Sequence, residues 1–524
     1  MAASAVSESA ASGSLRFDSR NSSRYNRFAL QRLVPKRLSL FPILSFCILL
    51  FAGCSVPLGP GYLIQKQALE LRFVPSPEPH LVVRCTYELI NSGSQPLQSI
   101  RIVAPAAESF HRSATTAEWN GQQIAVQTIT AASAADRGDI IELKWNDLWT
   151  SKQKRSLVLD YELSTGSHLA SFLAVSPDTF FADPGSWNPE LLPPKGPFSV
   201  GGTPPKKWTL SVRVPNGFLV HASGVLGKKP SRSSDEIVYS YVQRPGGFAP
   251  FAAGGKYVEK EIRSDGERIL FWTLQPLDPS AAQNAAAAIS SRVHYYETEY
   301  GKGGRDDRTI RLLECMIPTQ AFGCGALPET VFVHQAWIAR GLKDKKFYDD
   351  ANFELAYTWF GGVSRVRFDE YPLPMDGVAP YAGWEAQAME EAGDARATRI
   401  HWLLSDFDKH AANCKEKIIL PLPAGSHDCS YSAAWSKSGL FLFALEDRIG
   451  RARFHEALKY MIQARRGRDF SLEDLIASLE SESRQPQGQF VREWLKNPGI
   501  PDTFRARYST AVAPAENSSK ESQQ

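Results

Sequence analysis

Glu354 stands in the stretch ANFELAYTWFGG, Ala351–Gly362, and it is the residue whose setting first raises a chemical question. Helical periodicity places Phe353 and Tyr357 one turn apart, on the face beside it. Two metal-binding side chains at that spacing would grip a cation from one side, and the carboxylate between them would take a proton from its bound water. Here the carboxylate is present and both flanking positions are aromatic. Phe353 has no donor atom. Tyr357 offers a phenol whose ordinary pKa of about 10 makes it a poor ligand at neutral pH.

Other donors are scattered. His334, His401, His410 and His427 stand apart from one another, and only His410 pairs with a second donor at helical spacing, Cys414 in HAANC. That pair is the one place where a relocated zinc could find two ligands on one turn. The chain contains no G-x-S-x-G elbow and no G-x-x-x-x-G-K-[ST] phosphate loop, so serine-hydrolase and nucleotide chemistry have no positive signal. After Cys54 the cysteines are Cys85, Cys315, Cys324, Cys414 and Cys429. Cys315 with Cys324 and Cys414 with Cys429 are close enough in sequence to pair in an oxidising compartment, which leaves one cysteine over.

The elements that must position these groups fall into two textures. Over residues 62–255, LELRFV, HLVVRCTYELI, IRIVAP, IIELKW, RSLVLDYEL, WTLSVRVP and EIVYSYV alternate apolar and polar residues between Gly, Pro, Asn and Ser. This is the pattern of an all-β sandwich with one face of each strand buried. Over residues 256–502 the pattern is α+β and mostly helical in its second half. An extended Lys256–Leu274 leads to an Ala-rich helix with an Asp/Ser cap in DPSAAQNAAAAISSRVHYYETEYG. TIRLLECM and ETVFVHQAWI read as strands. Helices are expected in DANFELAYTWFGG, GWEAQAMEEAGDARATRIHWLLSDF, AWSKSGLFLFALEDRIG, RFHEALKYMIQARR, SLEDLIASLESES and QFVREWLKN. Residues 509–524 are polar and expected to be disordered.

Charge is unevenly placed. Of a net +3 on 524 residues, the segment before Cys54 holds seven basic and two acidic residues, leaving −2 for the rest. A near-neutral body gives no electrostatic reason to expect nucleic acid as partner. The basic start runs into LSLFPILSFCILLFAGCS, an apolar run about as long as a signal-peptide core and short for a membrane span. With Ala52 and Gly53 directly before Cys54, residues 1–54 resemble a bacterial lipoprotein signal. The resemblance implies lipidation at Cys54, export, and attachment to the membrane through the N-terminal lipid.

Several altered motifs follow the Glu354 helix in a recognisable order. Trp359-Phe360-Gly361 comes directly after it, and MDGVAPY carries Asp376 at the distance of a third ligand. AWSKSGLFLFALEDRIG holds Trp435 and Lys437, FVREWLKNPGIPD closes the region, and FGCGALPETVFV precedes it. Together these resemble the gluzincin zinc aminopeptidases, the aminopeptidase N or membrane alanyl aminopeptidase family, over residues 62–502. The resemblance implies a β-saddle domain followed by a thermolysin-like domain. It puts Phe353, Tyr357 and Asp376 at zinc-ligand positions and Glu354 at the general base. Trp435 falls where a tyrosine steadies the tetrahedral intermediate, and Glu329 is the nearest candidate to anchor a substrate amine.

Every one of those metal positions is substituted, except that Asp376 keeps a carboxylate on a shorter stem. Phe353, Tyr357 and Trp435 are expected to fill the former metal space with aromatic surface. The expectation is therefore a catalytically degenerate, cofactor-free member of the cell envelope, binding peptide or a protein partner through the cleft. An active metallopeptidase with rearranged zinc ligands is the alternative.

Overall fold

A computed structural model describes residues 61–107, 110–130, 138–165, 173–183, 186–192, 205–243, 250–304, 308–315, 328–343, 345–366, 373, 377–389, 395–414, 417–420 and 428–508. The lipoprotein-type segment with Cys54, the residues Asp376 and His427, and the stretch 509–524 lie outside them. Among the described residues, no helix is long and apolar enough to cross a membrane.

The first part is β-rich because its strands alternate as the period-2 pattern requires. Leu63–Val74 and His80–Ile90 pair antiparallel across their lengths, with Leu69, Leu71, Leu81, Val83 and Cys85 buried on the inner face. They form the middle of a nine-stranded sheet whose outer face is laced with ion pairs such as Arg84–Asp160 and Arg72–Glu236. Two four-stranded sheets, built around Leu97–Pro105 with Gly138–Trp149 and around Thr179–Ala182 with Ala252–Gly255, pack against its inner face. Trp187, which follows the strand Thr179–Ala182, is fully buried and donates its indole N–H to the Pro250 carbonyl at 3.0 Å.

The second part opens with a hairpin, Val258–Ser264 and Glu267–Thr273, turned by Asp265 and Gly266, both at positive φ. That backbone suits the Asp–Gly pair of a tight hairpin turn. Two parallel strands, Thr309–Cys315 and Thr330–His334, complete a four-stranded sheet with Thr330–His334 at its edge. The helices are α1 (Pro279–Tyr300), α2 (Gln335–Ala339), α3 (Lys345–Ala356), α4 (Val378–Ala388), α5 (Ala395–Ala411), α6 (Asp428–Ile449), α7 (Arg451–Ala464), α8 (Leu472–Ser483), α9 (Gly488–Lys496) and α10 (Asp502–Tyr508). Asp278 caps α1 through the Ala281 N–H, and Ser471 with Asp474 forms a capping box on α8, each answering an orphan first-turn donor.

Three boundaries differ from the sequence reading. ETVFVHQAWI is a strand only as far as His334, whose side chain then caps α2. The Glu354 helix starts earlier, at Lys345, and stops at Ala356; Tyr357 lies in the turn beyond it, where Trp359 and Phe360 both return to the Ala356 carbonyl. The long stretch from Gly383 to Phe407 is divided between α4 and α5.

The two parts share a core. Phe181 and Phe251 from the β-rich part meet Phe332 of the edge strand with ring centroids 5.4 and 5.3 Å apart, and His221 Nε2 sits 2.8 Å from Thr330 Oγ1. This contact fixes the edge strand against the β-rich part from one side while α3 holds it from the other.

Candidate functional site

Glu354 is buried on α3 and faces the edge strand. Its Oε2 accepts the main-chain N–H of Phe332. In the parallel pairing, Arg311 donates to the Glu329 carbonyl, so Glu329, Val331 and Val333 turn their main chains inward. The Phe332 N–H therefore points to the open edge, and the carboxyl of Glu354 already occupies it. Glu354 Oε1 has no hydrogen-bond partner. Burial pushes this carboxyl well above the usual carboxylate range; the Phe332 N–H pulls it back, and Asp350 adds to the rise.

Phe353 and Tyr357 are both half-buried beside the main core. The Phe353 ring meets Trp384 of α4 edge to face at 5.9 Å, and Trp384 in turn meets Trp435 of α6 at 5.4 Å. Phe353 and Trp435 are thus brought into one aromatic group, with Trp384 as the ring that bridges them. Trp384 was not singled out from the sequence, although an uncharged VAPYAGW run on a buried helix is a signal for such a core ring. Two glycines make the approach possible: a Cβ on Gly383 would stand 2.5 Å from the Phe353 ring, and one on Gly439 would stand 2.7 Å from the Trp384 ring.

Lys437, from the same motif as Trp435, is fully buried on α6. Its ammonium donates to the Ile418 carbonyl at 2.8 Å and to the Asn497 carbonyl at the end of α9. Burial draws its pKa down to about 8. Two stretches read separately in the sequence, AWSKSG and FVREWLKNPG, are joined by this one side chain.

Glu329 sits at the start of the edge strand with a left-handed backbone, φ 65°, and its N–H donates to Thr358 Oγ1 at 2.9 Å. It is buried rather than presented to an open cleft.

Of the other donors, His401 keeps a buried Nε2 without a hydrogen-bond partner, as does the Nε2 of His334, and neither stands in a group of three metal-binding side chains among the described residues. His334 Nδ1 accepts the Ala336 N–H at 3.2 Å. His410 Nδ1 donates to the Asp406 carbonyl at 2.9 Å, and Cys414 is disulfide-bonded, which removes the thiolate from the His410/Cys414 pair. Cys315 is also disulfide-bonded, and Cys85 is a buried free thiol whose pKa burial raises.

A polar cluster that the sequence did not announce lies behind the aromatic group. Tyr381 of α4 places its hydroxyl 3.1 Å from Glu446 Oε2 and 3.2 Å from His455 Nε2. His455 Nδ1 donates to Glu299 at 2.6 Å, and Arg451 Nη2 lies 2.9 Å from Glu385 Oε2. Burial, reinforced by Glu446, pushes Glu385 up to about 7 against the pull of Arg451 and Arg396. Burial also lowers His455.

Zinc of the kind that the family positions would hold does not fit these residues. Catalytic zinc takes three protein ligands of His, Cys, Asp or Glu type and keeps a position for water. Phe353 supplies none, Tyr357 supplies a phenol, and the Glu354 carboxyl is spent on a main-chain N–H. Among the described residues, no group of three or more His, Cys, Asp or Glu side chains is arranged to hold a metal ion.

No family model matches the chain, and no curated protein matches it. Solved structures do. An M1 zinc metallopeptidase from Deinococcus radiodurans is 16% identical with a TM-score of 0.51, covering 84% of this chain and 95% of its own. Yeast LTA4 hydrolase is 14% identical with a TM-score of 0.58, covering 84% and 69%. The same hydrolase in complex with bestatin gives 13% and 0.59 over 84% and 68%. At such identities the likeness defines the architecture: a β-rich N-terminal part followed by a helical C-terminal half, in the fold of the M1 zinc metallopeptidases.

Proposed function

We propose that this chain is a catalytically degenerate member of the M1 fold that works by binding, not by metal-dependent hydrolysis. The observation that carries this reading is the position of Glu354. A general base must reach a metal-bound water, whereas this carboxyl is buried and holds the Phe332 N–H. The Phe353–Trp384–Trp435 group supports the same reading, because it packs together the ring at one ligand position, Phe353, and the ring at the transition-state tyrosine position, Trp435.

The binding partner in this reading is a peptide or a protein of the cell envelope. Two observations favour export: the residues before Cys54 are of lipoprotein type, and Cys315 and Cys414 are oxidised, as suits an oxidising compartment. The lipid on Cys54 would attach the chain to the membrane.

The test is the metal content of the detergent-solubilised full chain, measured by elemental analysis after excess zinc and dialysis. A ratio near zero, with no hydrolysis of amino-acid arylamides, is the expected result. About one zinc per chain with activity would overturn the reading in favour of a metallopeptidase with rearranged ligands.

A further inference from the structure

The geometry points to Trp384, Trp402 and Trp435 as a receptor for the guanidinium of a peptide arginine, a site that Arg399 occupies in the free protein.

Arg399 lies on α5 with its guanidinium carbon 5.5 Å from the Trp384 ring and 5.4 Å from the Trp402 ring. Both distances fall within the roughly 6 Å range of cation–π attraction, and tryptophan is the strongest of the aromatic partners. Trp435 stands at 83° to Trp384 and 88° to Trp402, so it walls the space between them from a third side. A planar, weakly hydrated cation suits aromatic faces better than a compact ammonium does.

The box is open. Trp402 is 45% exposed, which a purely internal strut would not need, and Arg399 itself is half-buried. Beside Arg399 lies a narrow recess of about 10 Å³, room for one water, bordered by Trp384, Glu385, Gln387, Arg396 and Phe443. Glu385 brings a carboxyl to its wall, with Oε2 2.9 Å from Arg451 Nη2. The Arg396 charge on the same wall is answered by Glu446 at 3.3 Å and Asp447 at 2.8 Å. The wall charges are thus answered within the protein, and the attraction for a guanidinium comes from the tryptophan rings. Arg399 also donates to Gln387 Oε1 at 2.9 Å, and its flexible stem lets the head leave while the helix stays.

A tethered occupant competes at an effective concentration of about millimolar order, so an incoming arginine binds weakly until Arg399 moves. The box is built by α4, α5 and α6 and shares Trp384 and Trp435 with the aromatic group beside Phe353, whereas Arg399 and Trp402 belong to the box alone. Its failure would leave the metal-free reading untouched.

The experiment uses the full chain and its R399M variant, which keeps the stem and its packing but removes the cation. Each is titrated with the tripeptide Ala-Arg-Ala and with its citrulline analogue, by intrinsic tryptophan fluorescence and calorimetry. The expected result is at least tenfold tighter binding of Ala-Arg-Ala to R399M than to the wild type, no binding of the citrulline peptide, and loss of binding in R399M/W402A. R399M with wild-type circular dichroism and no gain in affinity would overturn the proposal. If R399M is poorly folded, ethylguanidinium supplies the second readout on the wild-type chain. A rise in melting temperature that W402A abolishes supports the receptor, and no rise refutes it.

Discussion

Glu354 Oε2 accepts the main-chain N–H of Phe332, so a side chain on α3 satisfies the open edge of the four-stranded sheet. The Glu354 carboxyl thus serves as an acceptor for the main chain of a neighbouring strand. The same bond closes the middle of the edge strand to an added peptide strand.

Removing that acceptor has a definite cost. E354A leaves the buried Phe332 N–H orphaned and should destabilise the fold by about 1–3 kcal/mol, while E354Q keeps an acceptor and should cost less. Because burial raises the folded pKa of Glu354 above its ordinary value of 4.5, its stabilising contribution is full below that value and is lost as pH rises through the folded pKa. Urea unfolding at pH 5 and pH 8 checks both points. An E354A stability equal to wild type at pH 5 would show that the bond is not formed.

The approach of α3 to α4 is set by Gly383, whose missing Cβ leaves room for Phe353. G383A would put that atom 2.5 Å from the Phe353 ring and 3.1 Å from the Phe353 Cα. It should destabilise by about 1–3 kcal/mol through overpacking. F353A relieves the ring clash, so the double variant should be less destabilised than the two single losses added together, with a coupling of about 0.5–3 kcal/mol. Simple additivity in denaturant midpoints would count against the contact.

These residues show what sequence makes legible. The β-rich part could be read because its strands alternate faithfully; HLVVRCTYELI is the strand His80–Ile90 residue for residue. The helix α1 was marked by Asp278, whose cap formed. What could not be read was where a pattern stops. Tyr357 continues the apolar face of α3 but falls past its last turn, because the chain tightens onto the Ala356 carbonyl. The aromatic group was half legible: Phe353 and Trp435 stood in motifs, whereas Trp384 acquires its meaning only when Gly383 and Gly439 let three helices close together. Glu385 and His455 carried no local signal at all, since their setting is made by α1, α4, α6 and α7 at once.

Lys437 ties α6 to the end of α9 through the Asn497 carbonyl, and it is buried with its pKa drawn down to about 8. The folded protein therefore sheds this proton before the unfolded chain, whose lysine titrates near 10.5. Stability should rise with pH between about 8 and 9.5 in the wild type and lose that slope in K437M. At pH 7, K437M also leaves the Ile418 and Asn497 carbonyls unpartnered, a loss of about 1–3 kcal/mol. Guanidinium unfolding midpoints at pH 7, 8 and 9.5 measure both effects; parallel curves for the two proteins would mean that Lys437 keeps an ordinary pKa.

Glu385 gives the pH dependence with the clearest sign. Its folded pKa, pushed up to about 7 by burial and by Glu446, lies above its ordinary 4.5. The folded state thus holds an extra proton between those values, and the associated stability is complete below 4.5 and lost as pH rises through 7. His455 works in the opposite sense: burial lowers it, so its contribution is lost as pH falls through the region below 6.5. Glu299, Arg396, Arg451, Tyr295, Tyr300 and Tyr381 also face this cluster, so the wild-type profile alone is composite. The difference between wild type and E385Q isolates the carboxyl. The amide that E385Q introduces mimics the protonated carboxyl, so the two proteins should match near pH 5, and E385Q should be the more stable at pH 8 by on the order of 2 kcal/mol. A gap of the same size at both pH values would show that Glu385 titrates like an ordinary surface glutamate, and that Arg451 fully offsets its burial.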